Sequence, residues 1–266
     1  MVDSVHRYLS LWKSFFLNSL TRDMEFKANF LGGLFVDSIY YVVHFFFFSV
    51  IYSYVEAIGE FTREDVIIFL FITFIADTIY MFFFSGNLFN LNRIMVRGEL
   101  DYFLLKPVSS QFLVSFRYVK SYALISLVIL FIILFSLLGS YSKIIEIMNI
   151  ICFLFSLMLG TILWYCIDFI ISSSCFWFKN FSVAGWLAHE IQKFSLRPDS
   201  IYTGLLRKIL FSFVPMTLVA SVPTRILLYG PNFQYILGQV LLVILFLFIT
   251  RLIWARGLIR YESASS

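Results

Sequence analysis

Apolar positions along this chain first recur at helical spacing and then merge into long unbroken runs. Over residues 3–25 they fall at Val5, Tyr8, Leu9, Trp12, Phe15, Phe16 and Leu20, while His6, Arg7, Ser10, Lys13, Ser14 and Asn18 take most of the other side. That spacing predicts an amphipathic helix lying in a membrane interface, with Tyr8 and Trp12 at headgroup level. Beyond it the runs predict membrane spans over about 28–54, 66–85, 122–141, 147–178, 209–222 and 236–254. Helices are favoured over a barrel because the runs are continuous rather than alternating. The fourth run meets no Lys or Arg before Lys179. As a helix its 32 residues would extend about 48 Å, against a hydrocarbon core of roughly 30 Å. It is therefore expected to tilt, break or project, with Gly160 and Ser172–Cys175 as the soft points. The fifth run is short and carries Pro215, with Pro223 just beyond it. Short, proline-interrupted segments line cavities or pack on protein, since lipid cannot satisfy freed carbonyls. Thr224–Tyr235 is expected to form a short re-entrant or interfacial helix. The fold class is all-α, a single polytopic membrane domain over 1–266.

The cations orient this map. With the N-terminus inside, the cytoplasmic segments hold Arg7, Lys13, Arg22 and Lys27, then Arg93, Arg97, Lys106, Arg117 and Lys120. Lys179, Lys193, Arg197, Arg207 and Lys208 follow in a polar segment over 179–208, then Arg251, Arg256 and Arg260. Only Arg63, Lys143 and Arg225 fall outside. Such an asymmetry places both termini in the cytoplasm of a cell membrane, the plasma or inner membrane. The 179–208 segment is expected to carry a short helix around Val183–Lys193 and a cytoplasmic turn at Arg197-Pro198-Asp199.

Composition agrees: 61% of residues are hydrophobic and 14% charged, which excludes an ordinary soluble domain. The formal charge of +4 lacks any basic block, so nucleic acid is not an expected partner. Cys152, Cys166 and Cys175 fall within one apolar run and are expected as buried thiols. The opening residues have no apolar h-region, so no cleavable signal is expected.

The best-defined charged stretch joins the second and third runs: Arg93-Ile-Met-Val-Arg97-Gly98-Glu99-Leu100-Asp101-Tyr-Phe103-Leu104-Leu-Lys106-Pro107. Gly98 interrupts a helix arriving from Arg93. Glu99 and Asp101 suit the first turn of a new one, and Pro107 stops it. Leu100, Phe103 and Leu104 form an apolar stripe at helical spacing. Two turns cannot stand alone and must dock on something, either the rest of this chain as an interfacial hairpin or a partner.

The phrase Gly98-Glu-Leu-Asp101, followed by Leu104-Leu-Lys106-Pro107, resembles the cytoplasmic loop of ABC-2-type permeases. A second stretch agrees: Phe194-Ser-Leu-Arg197-Pro198-Asp199-Ser-Ile-Tyr202, then Arg207, Phe213-Val-Pro215 and Val222-Pro223. Together the two cover nearly the whole chain in the order of one six-span branch. The resemblance implies a membrane-spanning exporter subunit whose loop carries a coupling helix seated in a separate ATPase. It also implies two ATPase copies holding ATP and Mg, a second permease copy or a related permease, and an N-terminal elbow helix. On that reading Arg97, Gly98, Glu99, Leu100, Asp101, Phe103, Leu104, Lys106 and Pro107 are the ATPase-coupling residues.

Catalytic signatures are missing. The chain has no Gly-x-x-x-x-Gly-Lys-Ser/Thr phosphate loop and no Gly-x-Ser-x-Gly elbow. His189-Glu190 lacks the second histidine of a zinc-protease helix. No cofactor, metal or catalytic residue is therefore expected. Ionisable residues inside spans are the default functional suspects. Asp37 and His44 lie seven apart on one helix face, and Asp77 sits at mid-depth in the next span. They read as a polar lining of a translocation path, as an interhelical hydrogen bond, or as the relay of an ion-coupled secondary transporter. The last would need no ATPase and favours an inverted repeat, which the sequence lacks. Asp168 is expected near the cytoplasmic boundary.

Overall fold

The computed structural model describes residues 2–178 and 183–262, so Lys179 lies outside the described residues. Helix α1 (Val2–Glu25) is followed almost at once by α2 (Lys27–Ile51). A small antiparallel hairpin, β1 (Ala57–Ile58) and β2 (Phe61–Thr62), leads into α3 (Arg63–Tyr80). A capping box starts α3: the Asp65 amide donates to the Thr62 hydroxyl, and the Thr62 amide to the Asp65 carboxylate. The helix continues through a π-helical turn, Met81–Ser85, and one more turn, Gly86–Leu88.

Short elements follow: α4 (Leu91–Val96), α5 (Leu100–Leu104) and α6 (Ser110–Phe116). Then come α7 (Ala123–Gly139) and α8 (Ile147–Ser173), the latter ending in a 3-10 turn at Ser174–Phe176. Helix α9 (Ala184–Gln192) runs on through 3-10 turns at Lys193–Leu196 and Asp199–Ile201. The chain closes with α10 (Gly204–Ser212), α11 (Thr217–Tyr229) and α12 (Phe233–Arg260). By length and apolar composition, α2, the α3–α4 stretch, α8 and α12 can each cross a membrane, and α7 is shorter.

Contacts fix the direction of each helix between two ends of the bundle, a hairpin end near β1–β2 and a loop end near Gly98. Tyr141 and Tyr229 both donate to Asp65 at the hairpin end. Further along, Tyr80 stacks on Trp164 at 4.5 Å, and Cys175 meets the Met95 sulfur at 3.0 Å near the loop end. Helices α3 and α8 therefore run in parallel. Helix α12 accompanies them, since Gln239 meets Ser156 and Trp254 meets Phe169. Helices α2 and α7 run the other way: Gly33 lies against Tyr122 near the loop end, and Phe48 and Tyr52 share a cleft with Arg63 at the hairpin end.

The stretch after α8 differs from the sequence expectation. Gly185 packs on Phe89, the Gln192 amide donates to Asp77 at 3.0 Å, and Asp199 meets Arg225. Residues 184–201 thus run from the loop end to the hairpin end. The expected fifth span over 209–222 is instead split between α10 and α11, which meet at 90°. Arg207 bonds Asp199 at one end of this pair, and Tyr229 bonds Asp65 and the Glu60 carbonyl at the other. The pair enters and leaves at the hairpin end. Pro215 sits at the bend, and the Thr217 hydroxyl satisfies the Leu210 carbonyl at 2.7 Å, the kind of rescue that lets a break persist away from water.

Arg197, Pro198 and Asp199 therefore sit at the end opposite Arg97, not beside it as the charge count suggested. Asp199 reads as solvated in sequence because its partners, Arg207 and Arg225, are brought in by the fold.

Gly160 is also not a soft point. Helix α8 passes through it unbroken, and a Cβ there would come within 2.9 Å of the Val219 backbone on α11. The missing side chain lets two helices touch. The other suggested point, Ser172–Cys175, does mark where α8 gives way to a 3-10 turn.

Candidate functional site: the Gly98 loop and the acids between α2, α3 and α9

Gly98 adopts φ 69°, the left-handed conformation that favours glycine. The Glu99 amide donates to the Ile94 carbonyl at 2.9 Å and the Gly98 amide to that of Met95 at 3.0 Å. Together these bonds make a Schellman cap that ends α4 and redirects the chain into α5. An exposed Arg97–Glu99 ion pair spans the turn at 3.8 Å.

The apolar side of α5 is not the stripe anticipated. Leu100 and Phe103 are buried in the chain's own core, and Arg117 covers the Phe103 ring at 5.0 Å. Tyr102 and Leu105 are the outward residues, 69% and 82% exposed, with Leu104 beside them. A two-turn helix must bury one face to exist, and here it buries Leu100 and Phe103 at home. Helix α1 holds the far side of the loop: Arg7 donates to the Pro107 carbonyl at 2.8 Å and the Ser109 amide to Tyr8 at 3.1 Å. Between α1 and the loop lies a groove of 610 Å³, floored by Leu11, Phe15 and Phe103 and rimmed by Arg22, Lys106 and Arg117.

Deeper in the bundle, Asp77 is buried and accepts the Gln192 amide, while Tyr41 on α2 bonds Thr78 on α3 at 2.8 Å. Asp37 faces the same region, and its buried Oδ2 has no hydrogen-bond partner among the described residues. Lys120, in the turn before α7, supplies positive charge near both acids. Burial pushes the Lys120 pKa down, and the Asp37 and Asp77 carboxylates oppose that shift. Asp37, Asp77 and Lys120 are thus near enough for each to feel the others' charge.

His44 is not part of that group. Its Nδ1 lies 2.9 Å from the Tyr40 carbonyl, and it lines a separate cavity of 270 Å³ with His189, Lys193 and Arg197.

Among the described residues no group of His, Cys, Asp and Glu is arranged to hold a metal, and the three cysteines are free thiols. A family model described as ABC-2 family transporter protein matches residues 38–265. The chain belongs to the ABC-2 transporter family. No curated protein and no solved structure matches it. Membership makes the chain a multi-pass membrane permease of an ABC transporter and implies an ABC ATPase as partner.

Three features of this permease escaped the sequence reading. Asp168 is buried, taking hydrogen bonds from the Tyr80 hydroxyl and, at 3.1 Å, from Ser172. Asp37 keeps a buried Oδ2 without a hydrogen-bond partner among the described residues, which no local pattern in the sequence marks. At the hairpin end, Asp199 receives Arg225 and Arg207 at 2.9 Å each, and Arg225 also pairs with Glu60. That guanidinium holds the Glu60 carboxyl below its usual range through a direct hydrogen bond. Only the unusual pairing of Arg225 with Pro223 in an apolar run hinted at this cluster.

Proposed function

We propose that this permease is the membrane subunit of an ATP-driven exporter. Two copies, or one copy and a related permease, enclose the path, and the Arg97–Pro107 loop of each docks on a separate ATPase. The two ATPases bind ATP and Mg; this chain binds neither. The chain crosses six times, through α2, α3–α4, α7, α8, residues 184–201 and α12. Both termini and the Gly98 loop lie in the cytoplasm of the cell membrane, and α10–α11 dips in from outside. The cations support this sidedness even with Arg197, Arg207 and Lys208 assigned to the outer end, because the loop end still holds the larger share.

The observation that carries the reading is the outward pair Tyr102 and Leu105, held on a capped turn beside the α1 groove. Closure of the ATPases on ATP pushes on this loop. The push passes on because the loop is fixed at the Gly98 cap, at Arg7–Pro107 and at Tyr8–Ser109. The path is lined by Asp37, Asp77 and His44 on α2 and α3, against α9.

Docking is tested by co-purifying a co-expressed ABC ATPase with the permease in mild detergent. Burying Tyr102 and Leu105 is worth on the order of 3–5 kcal/mol before entropy costs. Tyr102→Ala with Leu105→Ala should therefore abolish co-purification, whereas Glu99→Gln, in an exposed pair, should reduce it little. Undiminished ATPase capture by a double variant present in the membrane at the wild-type level would overturn the docking assignment.

A further inference from the structure

The fifth pass carries cations on an exposed face. His189, Lys193 and Arg197 recur every four residues along 184–201, and all three are exposed in the single chain. Lys, Arg and His within a membrane pass cannot be left to hydrocarbon, so this face must border water. The cavity holding these three residues is backed by aromatic and apolar groups of α2, including Tyr40, Phe47 and Phe48. A second cavity, of 500 Å³, opens beside the start of α9 at the loop end and holds Arg93, Arg97 and Asn90 next to the apolar Phe89 and Val96. Among the described residues neither cavity has an acidic residue in its wall. Glu190 pairs with Lys193 at 2.5 Å on the exposed side, and water screens such a pair. Of the acids assigned to the path, Asp77 takes its hydrogen bond from Gln192 within the bundle. His189, Lys193 and Arg197 thus line the cavity, while Asp77 is turned into the bundle.

We infer that the permease carries an amphipathic organic anion, one with a carboxylate, sulfonate or phosphate head on an apolar or aromatic body. The head enters at Arg93 and moves along His189, Lys193 and Arg197, while the body lies on the aromatic face of α2. This rests on the proposed function, with α9 and α2 in the wall of the path.

The test uses the purified full-length permease in nanodiscs of phosphatidylcholine, with empty nanodiscs as the blank. The probes are pyrenebutyrate and pyrenebutylammonium, which share a body and differ in head charge, read by energy transfer from tryptophan. The wild type should bind the anion at least about tenfold more tightly than the cation, the loss expected for one charge-assisted contact. Lys193→Gln with Arg197→Gln should erase that preference, and Lys193→Gln alone should reduce it. Equal binding of the two probes by the wild type, a preference for the cation, or a preference unchanged in the double variant overturns the inference. Should the double variant fail to fold, the wild-type probe pair still decides. ATPase captured by a permease with no anion preference defeats the substrate class alone. Anion preference in a permease that captures no ATPase defeats the exporter reading instead.

Discussion

Arg225 is the residue whose loss should cost most at the hairpin end. Its Nη2 donates to Asp199 Oδ1 at 2.9 Å, and its guanidinium stacks over Phe61 at 5.0 Å. Side-chain exposure is 9% for Arg225 and 1% for Asp199, so neither charge has water to fall back on. Removing one member of such a pair strands the other and costs about 3–5 kcal/mol. Arg225→Met, close in volume, should therefore lower the unfolding midpoint of the purified permease by on the order of 10 °C. Arg207 softens this loss only in part, since it reaches just one oxygen of Asp199 and is half exposed. Asp199→Leu should cost a similar amount. The two together should cost clearly less than their sum, because the double variant leaves no buried charge unpaired. Glu60→Gln should cost at most about 1 kcal/mol, since its side chain is largely in water. The assay is thermal unfolding in one detergent at fixed lipid content. A midpoint within about 2 °C of wild type for Arg225→Met, or strict additivity in the double variant, would refute the cluster as a clamp on the α10–α11 pair.

Gly160→Val should destabilise the permease by displacing α11, whose backbone would lie 2.9 Å from the new Cβ. A melting midpoint like that of wild type would show that the contact yields freely. Gly98→Val places a β-branched residue at positive φ and should weaken ATPase capture more than Glu99→Gln does; the same pull-down reads both. Phe103→Ala should lower thermal stability by about 3–5 kcal/mol, as for any buried phenylalanine, whereas Leu105→Ala should leave stability unchanged and affect docking only. Asp77→Asn should lower transport while preserving expression and ATPase capture, because Asn still accepts from Gln192. Failure of that variant to accumulate would make the Asp77 bond structural.

Long apolar runs were legible in the sequence because they need no partner to identify them. Helices α2, α8 and α12 fall within a few residues of their expected limits, and α1 matches its amphipathic spacing. The Gly98 turn was legible for a similar reason, since a glycine between a cation-ended helix and an acid-started one is a local signal. The stretch over 184–201 was hidden because Asp199 meets its partners Arg225 and Arg207 only in the folded bundle. Those partners are 26 and 8 residues away. The orientation of α5 was hidden for another reason. Leu100, Phe103, Leu104 and the capping Leu105 offer two apolar faces around a five-residue helix, and only the neighbouring Arg117 and α6 decide which one turns inward.

The π-helical turn at Met81–Ser85 sets the phase of everything after it. An extra residue in one turn rotates the following helix by about 100° relative to an uninterrupted α-helix. Asn87 comes immediately after and clasps residue Tyr118 twice at 2.8 Å, donating to its carbonyl and accepting from its amide. That clasp ties the helix to the α6–α7 connection, from which Lys120 faces the acids. Chain length within those five positions is therefore more constrained than side-chain identity. Losing a single phenylalanine there would swing Asn87 away from its partner and turn the whole Gly98 loop with it, whereas exchanging one for leucine would leave the loop's bearing unchanged.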